Sequence, residues 1–342
     1  MYKLFTFLTI IILISGCATN EKQFAGNTHT DAIMDANILL VVSQDQILGL
    51  VPPPMQVDQS SIDMAMEHTA VGPAEAIIAV ALINIFSSAS NLSRMEKLVA
   101  PINRRTGDLD FKKELVRKLQ EKCIFTTPER ITVTETMPKY DEDLLKLDMD
   151  IDNDSPTIII QAGYGFDYNY RVLIIDTAIS LWLDNDDPVF RTSTSYYSPP
   201  ITPFIKTYTP TFGDAALLRV GSKTAEKVHA PNVSLWTKNR ANIYREYYAE
   251  GIEETANMIV SALSNEHDAQ SITESKFTTF VNYHIAQFDD RGGRRNTTDE
   301  GRVLAEKNNR MLLATDNGSL SSVYNGPAIK PYKKAKTYRS YR

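Results

Sequence analysis

The sequence predicts an α+β fold: a helical N-terminal half, an antiparallel β-meander, a long amphipathic helix and short C-terminal strands. Three observations predict it. Residues 60–100 read as helical and Phe111, Leu115 and Leu119 recur at helical spacing, residues 157–197 alternate with period two, and Ser234 to Leu263 carries a broad apolar stripe. With 342 residues the chain is long enough for two domains, or for one large domain with appendages.

In chain order, Asn37 to Val42 is a short apolar run and a candidate buried strand. Pro52-Pro53-Pro54 can continue neither a helix nor a central strand. Ala76 to Phe86 is an apolar stretch too short to span a bilayer and is expected as a core helix. Pro101 is expected to separate it from the next helix. There Phe111, Leu115 and Leu119 mark one face amid Lys and Glu. Tyr140 to Asp154 is an acidic connector.

The meander opens at Ile158-Ile159-Ile160, followed by Tyr164, Phe166, Tyr168 and Tyr170 on one face. Leu173, Ile175, Ile179, Leu181 and Leu183 form the next alternation, and Phe190, Thr192, Thr194 and Tyr196 the third. Pro199 to Pro210 is a loop punctuated by proline. In the long helix, Trp236, Ile243, Tyr247, Met258, Ile259 and Ala262 are expected on one stripe, with Asn232 or Ser234 as the cap. Short strands are expected at Phe277 to Ile285, Arg302 to Leu304, Met311 to Thr315 and Leu320 to Tyr324, with Asn317-Gly318 as a hairpin turn. The segments are therefore 1–16, 17–30, 31–140, 141–156, 157–265, 266–329 and 330–342.

The N-terminus has its own pattern. Lys3 precedes an apolar run from Leu4 to Ile14. As a helix, that run would cover about 16 Å, half of a bilayer's hydrocarbon core, which suits a signal-peptide core better than a span. Ile14-Ser15-Gly16-Cys17 follows, an aliphatic residue and two small ones before a cysteine. This segment resembles the lipobox of bacterial lipoproteins. The resemblance implies cleavage between Gly16 and Cys17, and acyl chains on Cys17. One chain holds a protein to a membrane only marginally, whereas two or three hold it firmly. Ala18 in place of aspartate implies sorting to the outer membrane of a Gram-negative cell, facing the periplasm. The polar stretch Ala18 to Thr30 would be the tether.

Charge and composition narrow the function classes. The formal charge is −6, against a general nucleic-acid binder. Two cysteines build neither a disulfide scaffold nor a four-cysteine zinc site. After cleavage the chain would carry 35 basic and 42 acidic residues, a balance of −7. Six of those basic residues crowd the tail: Lys330, Lys333, Lys334, Lys336, Arg339 and Arg342, interleaved with Tyr332, Tyr338 and Tyr341. Such a segment gains about 1 kcal/mol per cation near an anionic membrane surface. The tail is therefore the candidate contact for anionic lipid or a cell-wall polymer, with a solvated tail as the plain alternative.

Catalytic signatures are missing from the sequence. Asp148, Asp150, Asp152 and Asp154 alternate, but neither calcium-loop register supplies the glycine at position six or the glutamate at position twelve. The five histidines form no HExxH pair, and His267 between Glu266 and Asp268 is accounted for by a helix C-terminus. Neither GxSxG nor SxxK occurs. Gly163-Tyr164-Gly165 lies in a strand, where glycine makes room for a bulky neighbour. Arg291-Gly-Gly-Arg294-Arg295 is a compact basic loop able to hold an anion or simply to be solvated. No metal and no cofactor is expected. The expected function is a lipid-anchored, non-enzymatic envelope protein that scaffolds, assembles or regulates an envelope complex, through a protein partner or through self-association. The alternatives are a periplasmic hydrolase with a dispersed site and a subunit of an oligomeric pore or secretion assembly.

Overall fold

The structure, a computed structural model, describes residues 29–34, 36–42, 44–47, 89–123, 126–134, 155–167, 170–183, 188–201, 223–264, 272, 274–288, 294–315 and 318–326. Within 89–95, 223–229, 281–288 and 294–299 it describes the backbone alone. The elements are α1 (Thr30–Met34), β1 (Asn37–Val41), α2 (Ala89–Asn103), α3 (Phe111–Lys122), a 3-10 turn (Pro128–Arg130), β2 (Ile131–Thr134), β3 (Thr157–Phe166), β4 (Leu173–Trp182) and β5 (Phe190–Tyr197). They continue with α4 (Lys223–Trp236), α5 (Lys238–Leu263), β6 (Phe277–Phe288), β7 (Arg294–Lys307), β8 (Arg310–Thr315) and β9 (Leu320–Tyr324).

The α+β class holds, but the sheet is mixed. Its nine strands run in the order β2-β1-β3-β4-β5-β9-β8-β7-β6. β3, β4 and β5 are consecutive and antiparallel, a meander in themselves. On one side β1 is parallel to both β3 and β2, and on the other β9 is parallel to β5. Parallel neighbours need a long crossover, and here α2 and α3 lie between β1 and β2 in sequence. Period-two alternation carries no information on such long-range pairing, which is why an antiparallel meander alone was expected.

Alternation determines what each strand buries. Ile158, Ile160, Tyr164 and Phe166 of β3 share a face with Ile175, Ile179 and Leu181 of β4 and Tyr196 of β5, and all are buried in one core. Helices α3 and α5 supply the opposite wall of that core. α3 begins at Asp110, whose carboxylate accepts a hydrogen bond from Lys113 N at 3.0 Å. The predicted stripe of Phe111, Leu115 and Leu119 is buried, and Phe111 stacks on Tyr164 with ring centres 4.4 Å apart. A smaller cluster on the other face joins Ile174, Tyr197, Leu313, Val323 and Phe280.

Several boundaries differ from expectation. Pro101 lies inside α2, in its final turn, rather than ahead of a new helix. Two C-terminal strands are long: β6 has 12 residues and β7 has 14. β7 turns into β8 at Asn308 and Asn309, both with φ near +60°. Asparagine tolerates that left-handed region, which a two-residue hairpin of the primed type requires. Gly163 sits against Gln44, where a Cβ would stand 3.3 Å from Oε1. That carboxamide extends the strand pattern: Nε2 donates to Tyr164 O at 2.8 Å, and Oε1 accepts from Tyr164 N at 3.1 Å.

The long helix is the largest correction. α4 ends at Trp236 and α5 starts at Lys238, and neither Asn232 nor Ser234 caps it. Asn239, Arg240 and Ala241 have φ of 51°, 60° and 61°. Three left-handed residues shift the helical phase between Trp236 and the rest of the predicted stripe. Ile243 is consequently exposed, while Tyr244, Tyr248, Ile252, Ala256 and Ile259 face the core.

Candidate functional site

The break in the long helix lines a cavity of about 520 Å³. Arg105, Thr237, Lys238, Asn239, Arg240 and Arg245 line it. Four of the six are cations, and none is acidic. They come from two places far apart in sequence, the turn after α2 and the stretch 237–245 at the start of α5.

Two of the cations are tied down. Arg105 donates from Nη1 to the Thr237 carbonyl, bridging the two segments. Arg245 grips Asp108 bidentately, at 2.7 Å from Nη1 and 2.6 Å from Nη2, and Nη2 also donates to the Arg105 carbonyl at 2.6 Å. The Arg245 guanidinium holds the Asp108 carboxyl below the usual carboxylate range. Lys238 and Arg240 are exposed and form no ion pair among the described residues. The Thr237 hydroxyl donates to Ser234 O at 2.9 Å and so does not cap α5. The first turn of α5 also lacks an acidic residue.

This placement runs against two local preferences. Cations are disfavoured at a helix N-terminus, where the helix dipole is positive. Left-handed backbone costs about 1–2 kcal/mol per non-glycine residue. Packing compensates: Ala241 is fully buried, and the Trp236 indole N–H donates to Tyr170 O at 2.8 Å. The chain is thus held from both sides of the break. Lys238-Asn-Arg240 at the start of an otherwise regular helical pattern is the signal in the sequence, a local conflict of charge with dipole.

A second charged constellation lies farther along α5. Arg310, on β8, is buried beneath the Tyr196 ring, 4.4 Å from its centre. Its Nη2 donates to the Tyr197 and Ser322 carbonyls at 2.8 Å each, and its Nε to Ser322 Oγ at 2.9 Å. Glu250 Oε1 lies 3.4 Å from Nη1, and Glu254 accepts from Ser322 Oγ at 2.8 Å. The Tyr196 hydroxyl donates to Glu250 at 3.0 Å, and burial pushes its phenol well above the ordinary value. Every group here is occupied by another group of the chain, so the cluster is a clasp between helix and sheet.

The residues that line the cavity at the helix break are not among those singled out in the sequence. Gly16, Cys17, Lys330, Lys333, Lys334, Lys336, Arg339 and Arg342 lie outside the described residues, as do Asp148 to Asp154, His68, His267 and Arg291. Arg294 and Arg295 begin β7, in register with Phe288 and Gln287. Cys123 ends α3, where burial pushes its thiol up to about 12. Among the described residues, no three of His, Cys, Asp and Glu gather as metal ligands, and no helix is long and apolar enough to cross a membrane. Compared with known proteins, the chain matches no family model, no curated protein and no solved structure.

Proposed function

We propose that this is a lipid-anchored protein of the bacterial cell envelope that acts by binding, as a scaffold, assembly or regulatory factor of an envelope complex. One observation carries the reading: Lys3, an eleven-residue apolar run and Ile14-Ser15-Gly16-Cys17 stand in the order that export and lipidation require. The basic tail from Lys330 to Arg342 supports it as an electrostatic contact with an anionic envelope surface.

Metabolic labelling tests the anchor. The wild-type chain incorporates labelled palmitate and floats with membranes, and Cys17→Ser does neither. An unlabelled wild-type chain sinks the proposal. In-cell crosslinking of the full chain, compared with a chain lacking 330–342, tests the scaffold role. One or two envelope proteins recovered in stoichiometric amounts support it.

Self-association is the second reading, and the sheet gives it a motive. β2 and β6 stand at the two ends of the strand order, and Arg294 to Glu300 of β7 pair only with β6 among the described residues. Open strand edges are templates for pairing with another chain. A ladder containing only this protein in the crosslinking experiment favours that reading.

A further inference from the structure

We propose that the cavity at the break of the long helix is a binding site for a phosphoryl group, in the form of a phosphomonoester dianion. The inference is independent of the lipid anchor. It rests on Arg105, Lys238, Arg240 and Arg245 lining one cavity of about 520 Å³ in a chain of net charge −6. Charge clustered against the sign of the whole chain needs a local cause. Among the described residues none of the usual ones appears: only Arg245 is neutralised there, by Asp108. Arg105 donates to a neutral carbonyl, and Lys238 and Arg240 face the cavity without an ion-pair partner among the described residues. In the Arg310 clasp, by contrast, the same residue type is saturated by carbonyls, a hydroxyl and two glutamates.

The chemistry selects the ligand class. Three cations beyond the Arg245–Asp108 pair match a phosphomonoester, which carries about −1.5 to −2 charges and three strong acceptor oxygens near neutral pH. Arginine forks bind phosphate oxygens in pairs, and a lysine adds a compact point charge. A lone carboxylate would leave much of that charge unanswered. The volume is within the range of roughly 300–1,000 Å³ typical of small-ligand sites, so the phosphoryl group would bring a larger moiety with it. A soluble phosphorylated compound and the headgroup of a phosphomonoester lipid share this chemistry.

The experiment uses the purified full chain in detergent micelles at constant ionic strength. Inorganic phosphate is titrated calorimetrically, and so is short-chain phosphatidic acid in the same micelles, with short-chain phosphatidylcholine as the blank. The wild type is compared with the double variants Lys238→Gln/Arg240→Gln and Lys238→Arg/Arg240→Lys. Both residues are exposed, and equal unfolding midpoints in phosphate-free buffer check the fold. Expected is phosphate binding that weakens at least about tenfold in the glutamine pair and stays within about twofold in the charge-preserving pair. Binding of short-chain phosphatidic acid with the same dependence on the variants, but without binding of free phosphate, places the source in a lipid headgroup and also upholds the site. Equal binding by wild type and the glutamine pair for both probes, or no binding of either probe by the wild type, overturns the proposal.

Discussion

Helix α5 meets arginines at two places, and their situations are opposite. Near Glu250 and Glu254 it meets Arg310, buried and bonded on every side. Near its first turn, Lys238 and Arg240 stand exposed on an open cavity without an ion-pair partner among the described residues, beside Arg105 and the Arg245–Asp108 pair. Burial explains the difference. A desolvated guanidinium is tolerated only when its donors are matched, so the clasp had to be complete within the chain. An exposed guanidinium carries no such requirement, so its partner can come from outside the chain. Saturation marks a cation that serves the fold, and clustering without saturation marks one available to a ligand.

Four variants break or sharpen this contrast. Arg310→Ala should have the largest effect. It strands Glu250, Glu254 and two carbonyls, and should cost about 3 kcal/mol in urea unfolding. A loss under about 1 kcal/mol would mean that the clasp is not a structural lock. Gly251→Ala comes next, because its Cβ would stand 2.7 Å from Ile175 Cδ1 and 2.8 and 2.9 Å from carbons of the Tyr196 ring. Overpacking there should cost about 2 kcal/mol by the same measurement, and a neutral result would show that the helix can move off the sheet.

Arg240→Gly should act in the opposite direction. Its φ of 60° suits glycine, so thermal unfolding should move up by the equivalent of about 1 kcal/mol. It should also weaken phosphate binding, which would tie the strain to the site. Lower stability would show that the left-handed turn is not strained. The smallest effect belongs to Glu253→Gln. Glu253 pairs with Lys118 at 2.7 Å and Lys122 at 2.5 Å, linking α5 to α3 at the partly exposed surface. Such pairs contribute about 0.5 kcal/mol, and the loss should vanish in 0.5 M salt, where screening is nearly complete. A loss that persists at high salt would mean that the pair is effectively buried.

The strands and helices were legible where one face alone is buried. Phe111, Leu115 and Leu119, residues 158–164 of β3 and residues 177–182 of β4 repeat at the period of their element because the core lies on one side of each there. The candidate cavity was not legible, since Arg105 and Lys238 are 133 positions apart and share no motif. The Arg310 clasp was hidden for the same reason: it joins β5, β8 and β9 to α5.

By itself the sequence determined the local periods and the order of charge, apolar run and cysteine at the N-terminus, because these depend on neighbours within a turn or two of chain. Tertiary structure alone decided the mixed strand order, the break at Asn239 to Ala241 and the gathering of four cations. Strand order depends on crossovers between distant segments. The break depends on buried Trp236 and Ala241 holding the chain on either side of it. The cavity exists because two segments distant in sequence meet there.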